Sequence, residues 1–381
     1  MIAEVICSIA FKSFIYGLCL LGFTWLLKEL TMGICSHEES LKGKVILITG
    51  GHEGVGLETV VEIAKRGAKI IIGGPKISNV KEIVLTRVPD ADVEVMWLDL
   101  SSNDRIRHFA KEILARFPKI DVLINNASSI TNKSSTLGDG RRSGALSRKG
   151  RTKTADGFEL IMGENYFGHF LLNHLLLAAV KAAGESSTVT LEQIDEDSEH
   201  IDHRDTHLTN LKETNVSRII VVSSPIALTP WANQIKKNGK IFFDDDSNNP
   251  VVQFSKSKLA QLMYVSQLSK ILKQGKCNTI VTGVYPGLIP DKCLIQHYLP
   301  QKYLTKFEIF KLIFGKNLWQ EAQTAIYLSQ AKFLKNDDLI NGQVFLDCRP
   351  VDFLKPSLAK DIAACESLWN KTEEVLGIKA Q

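Results

Sequence analysis

The chain has 381 residues, 44% of them hydrophobic and 23% charged. That composition supports an ordinary buried core and excludes a disordered or low-complexity protein. A net charge of +4 and no basic module interleaved with aromatics give no reason to expect nucleic acid. Seven cysteines, at 7, 19, 35, 277, 293, 348 and 365, form neither a C-x-x-C pair nor a zinc spacing. They read as free thiols in a reducing compartment.

The first element is the apolar run Val5 to Leu27, interrupted once by Lys12. It has about the length a helix needs to cross a bilayer. No small-x-small cleavage site follows, so a single-pass anchor is expected rather than a removed signal peptide. Lys28, Lys42 and Lys44 lean the rest of the chain toward the cytosolic side. The expected organisation is an anchor and linker over residues 1–40, followed by one domain over residues 41–381.

From residue 44 onward, strand and helix alternate. The expected strands are "KVILITG", "AKIIIGG", "VEVMWLDL", "IDVLINNA", "RIIVVSS", "NTIVTGVYPG" and "GQVFL". Between them lie the expected helices "LETVVEIAKRG", "DRIRHFAKEILARF", a long one from about Asp156 through "LIMGENYFGHFLLNHLLLAAVKAA", one from about Phe254, and "WQEAQTAIYLS". Strands alternating with helices of this length imply a doubly wound α/β fold, a parallel sheet with right-handed crossovers. The strands are nearly continuous in apolar residues, as expected for a sheet covered on both faces.

Two polar stretches interrupt the pattern, at about 131–153 (Ser/Gly-rich and basic) and 184–217 (mainly acidic). Both read as surface insertions. His200, His203 and His207 sit among carboxylates in the second, but without a scaffold they read as a solvated loop, and no metal site is expected. Residues 301–319 mix four lysines with five aromatics. They suit either a bilayer surface or an amphipathic helix docked on the domain.

"TGGHEGVG" (49–56) closes the first strand and opens the first helix. Gly50, Gly54 and Gly56 let the backbone turn and approach a pyrophosphate, and the helix amino terminus supplies free N–H groups and partial positive charge. A glycine-rich turn alone is weak evidence. The strand before it and the helix after it make a dinucleotide site the expected reading. At the end of the second strand, "GGPK" has no carboxylate to bind a ribose diol, and Lys76 favours NADP(H) over NAD(H).

The spacing T-G-x-x-x-G-x-G resembles the short-chain dehydrogenase/reductase family. "LDL", "NNA", "VVSS", a lysine at 258 and "YPG" follow in the family's order. "TADGFE", "GHFLLNHLLL" and "SKLA" resemble its retinol-dehydrogenase-like branch. The resemblance covers about residues 40–375 and implies an NAD(P)(H)-dependent oxidoreductase of a polyprenoid, retinoid or steroid. With the anchor, it implies a membrane location at the endoplasmic reticulum and a cytosolic domain. It places the cofactor against Thr49, Gly50, Gly54, Val55, Gly56, Lys76, Asp99, Leu100, Asn125, Ala127, Lys258, Pro286 and Gly287. Asn165, Ser224 and Lys258 take the catalytic positions: Asn165 to hold a relay water, Ser224 to polarise the carbonyl, and Lys258 to bind the ribose and lower the pKa of a neighbouring tyrosine.

That tyrosine is absent. Four residues before Lys258 stands Phe254, which cannot donate or accept a proton. Ser128 replaces the glycine of the family's NNAG, and "LIPDK" with Pro290 and Asp291 follows the Pro-Gly pair where a threonine is usual. The glycines of the phosphate loop are intact, so nucleotide binding is expected to outlast catalysis. Three expectations follow: weak turnover, a pseudoenzyme that regulates or scaffolds a protein partner, or a membrane-tethered interaction protein acting through its two charged insertions. The sequence leaves the oligomeric state open.

Overall fold

The computed structural model describes residues 11–12, 14–23, 25–26, 32–35, 39–75, 79–129, 153–184, 216–237, 240–241, 243, 249–287, 303, 305–306, 311, 315–330 and 340–378. All but the end residues of both polar insertions, together with Pro290, Asp291, Lys76 and most of 301–319, lie outside the described residues; Gly184 belongs to the preceding helix and Ser217 to the following strand.

The strands are β1 Val45–Thr49, β2 Lys69–Gly74, β3 Val93–Trp97, β4 Val122–Asn125, β5 Ser217–Val222, the short pair β6 Lys236–Lys237 and β7 Lys240–Ile241, then β8 Thr279–Val284, β9 Val344–Leu346 and β10 Arg349–Pro350. Eight of them form one sheet in the order β10-β9-β8-β5-β4-β1-β2-β3. All neighbours run parallel except β10, which turns back on β9. β6 and β7 form a separate antiparallel hairpin.

The helices are α1 Gly54–Lys65, α2 Val80–Arg87, α3 Asn103–Arg116, α4 (Leu160–Met162, a π turn Gly163–Phe167, then Gly168–Gly184), α5 Pro250–Gln274, α6 Leu318–Ser329 and α7 Ile362–Leu376. They cover both faces. Leu47, Ile71 and Leu123 point into one core with α3, α4, α5 and α7. Their strand neighbours Ile46, Ile48, Ile70, Ile72 and Ile124 point into the other, with α1, α2 and α6. Strand residues alternate between two apolar layers, which is why the strands read as continuous apolar runs.

Local chemistry sets the helix ends. Ser102 caps α3, accepting from the Arg105 N–H, and Ile106, Phe109, Ala110 and Ile113 give that helix its buried stripe. The long helix begins at Leu160 rather than about Asp156. Gly157 has φ +88°, and the Glu159 carboxylate accepts from the N–H groups of Ile161 and Met162, closing the helix end there. α5 begins at Pro250, one turn before Phe254. Asn249 caps it and the proline occupies the first turn, where its missing N–H costs nothing. α7 closes one face with an aromatic stack: Trp369 lies flat on Tyr264 at 5.6 Å and tilted on Phe170 at 4.7 Å.

Only part of the amino-terminal apolar run is described. Residues 14–23 are helical, and Phe14, Tyr16, Leu20 and Phe23 are exposed. Among the described residues, no helix is long and apolar enough to cross a membrane.

Candidate functional site

The strand order reverses between β1 and β4, so their carboxyl ends diverge into a crevice. That is where doubly wound sheets bind ligands. Thr49 ends β1 and pairs with Asn125 at the end of β4. The glycine loop leaves from Thr49. A Cβ on Gly56 would collide with the Gly50 carbonyl oxygen and the Asn126 amide, so only glycine permits this close approach. Gly54 has φ +56° and a Cβ there would meet nothing within 4 Å. The loop is therefore shaped around open space at the amino end of α1, where a pyrophosphate fits. Val55 does not face that space. It packs toward Cys35, Ala322 and Ile326.

Asn126, which the sequence reading passed over, holds the loop in place. Its side-chain amide donates to the carbonyl oxygens of Thr49 at 3.1 Å and Gly50 at 3.0 Å. The N–H groups of Asn126 and Ala127 both donate to Thr49 Oγ1, each at 3.0 Å. The Thr49 hydroxyl hydrogen is then left for His169 Nε2, 2.9 Å away. His169 Nε2 is thus the acceptor and Nδ1 carries the hydrogen, which it donates to the Asn165 carbonyl oxygen at 2.9 Å. Burial, reinforced by the charge of Lys258, pushes the His169 pKa down to about 4, against a smaller opposing effect of the Asn165 carbonyl. The ring is therefore neutral at physiological pH, with one tautomer selected by its partners.

Asn165 sits in the π turn of α4, a distortion often found at functional sites. Its amide nitrogen donates to the Ser129 carbonyl oxygen at 2.9 Å and to Ser257 Oγ at 3.1 Å, while its amide oxygen accepts from the Ser129 N–H at 2.7 Å. Its main-chain carbonyl accepts both from His169 and from Gln261 Nε2, the latter at 2.8 Å. A carbonyl oxygen has two lone pairs. The relay water expected at Asn165 therefore has no acceptor site left on that carbonyl, and the residue acts as a brace joining α4, α5 and the end of β4.

Lys258 and Phe254 lie one turn apart on α5. Lys258 is 2% exposed and donates from Nζ to the Val222 carbonyl oxygen at 3.1 Å. Burial depresses its pKa to about 7. The Phe254 ring, 9% exposed, has its centroid 5.4 Å from Lys258 Nζ and packs with Ile161, Val251 and Ile226. Ser224 caps the short 3₁₀ turn Pro225–Leu228 by accepting from the Ile226 N–H. Ser224 and Phe254 thus both meet Ile226 just after β5, and Lys258 Nζ lies beside the Phe254 ring. Ser223 is turned the other way and donates to the Lys258 carbonyl oxygen at 2.9 Å.

Among the described residues, no nearby phenol stands at that position. Tyr264 stacks on Trp369 and is pushed well above the ordinary tyrosine pKa by burial. Tyr166 is bonded to Thr372, and Tyr285 donates to the Leu354 carbonyl oxygen. Ser255 donates to the Val251 carbonyl oxygen at 2.7 Å, so its hydroxyl is also committed. Tyr298 lies outside the described residues.

The remaining expected cofactor residues fall around the same crevice. Asp99 Oδ1 accepts from the Ser101 N–H at 2.9 Å and the Ser101 hydroxyl at 2.7 Å, which fixes the turn after β3. Leu100 is half-buried against the core. Asn125 is wholly buried with neither side-chain polar atom hydrogen-bonded among the described residues. Pro286 and Gly287 follow β8, and the Pro286 carbonyl oxygen is held by Lys316 Nζ at 3.1 Å. Ser128, the replacement for a family glycine, is exposed just after β4. The open space at Gly54, the close approach at Gly56 and the orphaned Asn125 amide all fit a bound dinucleotide.

Comparison with known proteins agrees with this geometry. Residues 44–191 match the family model described as short chain dehydrogenase. The chain is 28% identical to retinol dehydrogenase 12 of Bos taurus, covering 91% of this chain and 90% of the relative. It is likewise 28% identical to retinol dehydrogenase 11 of Homo sapiens, covering 92% and 91%. Among solved structures, an uncharacterized protein from Mycobacterium paratuberculosis superposes with a TM-score of 0.57 at 21% identity, covering 91% of this chain and 98% of that one. The RhlG/NADP active-site complex of Pseudomonas aeruginosa superposes with a TM-score of 0.51 at 19% identity, covering 80% and 95%. At these identities the structures speak to the fold.

Proposed function

The chain belongs to the short-chain dehydrogenase/reductase superfamily, and on that premise we propose that it is a membrane-anchored, nicotinamide-dinucleotide-binding protein whose hydride transfer on a lipophilic alcohol or carbonyl is crippled at the proton step. The observation that carries this reading is the Phe254 ring beside Lys258 Nζ, with 5.4 Å from the nitrogen to the ring centroid, four residues before the lysine where the family resemblance leads one to expect the proton donor.

A bound nicotinamide supplies the hydride acceptor or donor. The chain's own residues hold the phosphates at Gly50, Gly54 and Gly56, brace the crevice through Asn126, Thr49, His169 and Asn165, and present Ser224 and Lys258 toward the substrate oxygen. None of these residues supplies a phenol, and the Lys258 amine beside Phe254 is held to the Val222 carbonyl oxygen. A placed proton donor is worth about 10²–10⁴ in rate, so turnover is expected to be slow by that factor.

The names of the curated relatives support a retinoid substrate. The motifs "ITGGHEGVG", "IIIGGP" and "SLWNKTEEVLG" also resemble the member X dehydrogenase/reductase, a polyprenol dehydrogenase. The substrate class is therefore a polyprenoid, retinoid or steroid. The exposed apolar side chains of residues 14–23 support an anchor, with the domain on the cytosolic face of the endoplasmic reticulum. The expected choice of NADP(H) over NAD(H) rests on Lys76, outside the described residues. A second reading, a nucleotide-binding pseudoenzyme that regulates a protein partner, is supported by Asn165, whose carbonyl is already filled by His169 and Gln261.

The test uses the full chain in mild detergent, titrated with NADH and NADPH and then assayed on retinoid, polyprenoid and steroid carbonyls. Expected are micromolar nucleotide binding and turnover far below the common enzyme rate of about 10 s⁻¹, lost in Lys258→Ala. Ordinary rates would contradict the crippled proton step. A folded chain that binds neither nucleotide would end the whole reading.

A further inference from the structure

β2 ends in Gly73 and Gly74. In dinucleotide-binding folds this strand end carries the side chain that reads the adenosine ribose, and here it carries none. The gap is covered from the glycine loop. A Cβ on Gly74 would lie 3.1 Å from His52 Nδ1 and 3.7 Å from its Cε1, so the imidazole rests directly on that strand end. His52 Nε2 is 3.6 Å from a Glu53 carboxylate oxygen. Glu53 occupies the cap position of α1 in an extended conformation but makes no capping hydrogen bond. Its side chain is 78% exposed. A polar residue at a helix cap that ignores the helix N–H groups has its carboxylate free for something else.

Among the described residues, the neighbouring groups leave this carboxylate's charge standing. Burial lowers the His52 pKa more than Glu53 raises it, so the ring is neutral at physiological pH. The cation at the end of α2, Arg87, is held by Glu58 through two bonds of 2.8 and 2.7 Å.

We infer that the glycine loop, in place of the second strand, reads the adenosine ribose of the nucleotide, with Glu53 beside His52 accepting the ribose hydroxyls and repelling a 2′-phosphate, so that the chain takes NAD(H) in preference to NADP(H). This rests on the nucleotide-binding reading above and reverses the preference expected from Lys76. A ribose diol offers two O–H donors to a carboxylate, whereas a 2′-phosphate offers only like charge. Partial exposure softens the repulsion without removing it.

The experiment is a calorimetric titration of the full chain in mild detergent with NADH and NADPH, for the wild type, Glu53→Gln and Glu53→Arg. Folding is checked by circular dichroism. The exposed, non-capping glutamate makes both variants structurally mild. NADH is expected to bind the wild type at least about tenfold more tightly than NADPH, the scale of one partly screened like-charge contact. Glu53→Gln narrows that ratio. Glu53→Arg tightens NADPH by about tenfold or more, changes NADH far less, and makes NADPH binding the more salt-sensitive of the two. If NADPH binds the wild type as tightly as NADH, or the ratio is the same in all three proteins, the inference is wrong and the nucleotide-binding reading stands. If neither nucleotide binds the folded wild type, both fall.

Discussion

At the residue scale, Lys258 is a buried cation whose one described hydrogen-bond partner is the Val222 carbonyl. Its pKa of about 7 lies far below the roughly 10.4 of an unfolded lysine. Between those values the unfolded chain binds a proton that the folded chain refuses, so stability rises with pH from about 7 to about 10 and is flat below that window. The total change is of order a few kcal/mol. Lys258→Met should remove the pH slope and stabilise the nucleotide-free protein at neutral pH. Denaturant unfolding at about pH 7 and about pH 9.5 checks this. An unchanged slope in the variant would place the titration elsewhere. His169 was the least legible residue of the site. A lone histidine in an apolar helix most often belongs to the core, and only the bonds to Thr49 and Asn165 show that it ties the glycine loop to the catalytic helix. Phe254, by contrast, was legible without coordinates, because a four-residue spacing to Lys258 on a helix puts both on one face.

At the element scale, the strands of the parallel sheet, β9 included, and most of the helices followed from apolar runs and caps, while α2, α7 and the turn into β10 did not. β9 and β10 are joined by Asp347 and Cys348, with φ +54° and +60°. That is the two-residue hairpin turn normally written Asn-Gly. Asp347 is a residue type that tolerates a left-handed backbone, but "FLDCRP" does not announce the turn because Cys348 stands where glycine is usual. Cys348→Gly should relieve the strain and raise stability by about 1 kcal/mol, less the weak thiol contact to the Gly33 carbonyl oxygen. A shift in denaturant midpoint without a change in slope measures it. A destabilised variant would show that the thiol contact and the packing around Cys35 outweigh the turn. α7 was hidden for a different reason. Its value lies in Trp369 meeting Tyr264 and Phe170 on other helices, a tertiary contact that no local pattern carries.

At the scale of the whole molecule, the nucleotide end and the proton end of one crevice have diverged. The glycine loop keeps its close approach at Gly56 and its open space at Gly54, fastened to β4 by Asn126. In the proposed reading the substrate end has Ser224 and Lys258 without a phenol at 254, and the Asn165 side chain and carbonyl are taken up by Ser129, Ser257, His169 and Gln261. The family and the crevice were legible from motif order alone. The hydrogen-bond partners that fill Asn165 were not, because His169 and Gln261 reach it from two different helices.

The most direct measurement compares wild type with Phe254→Tyr in single-turnover hydride transfer, with nucleotide affinity measured on the same samples. Restoring the phenol over Lys258 should raise the rate by about 10²-fold or more and leave nucleotide binding within about twofold, since the ring already occupies that space. No gain in rate at full nucleotide occupancy would contradict the account and assign the block to the filled Asn165 carbonyl and the loop that follows Gly287.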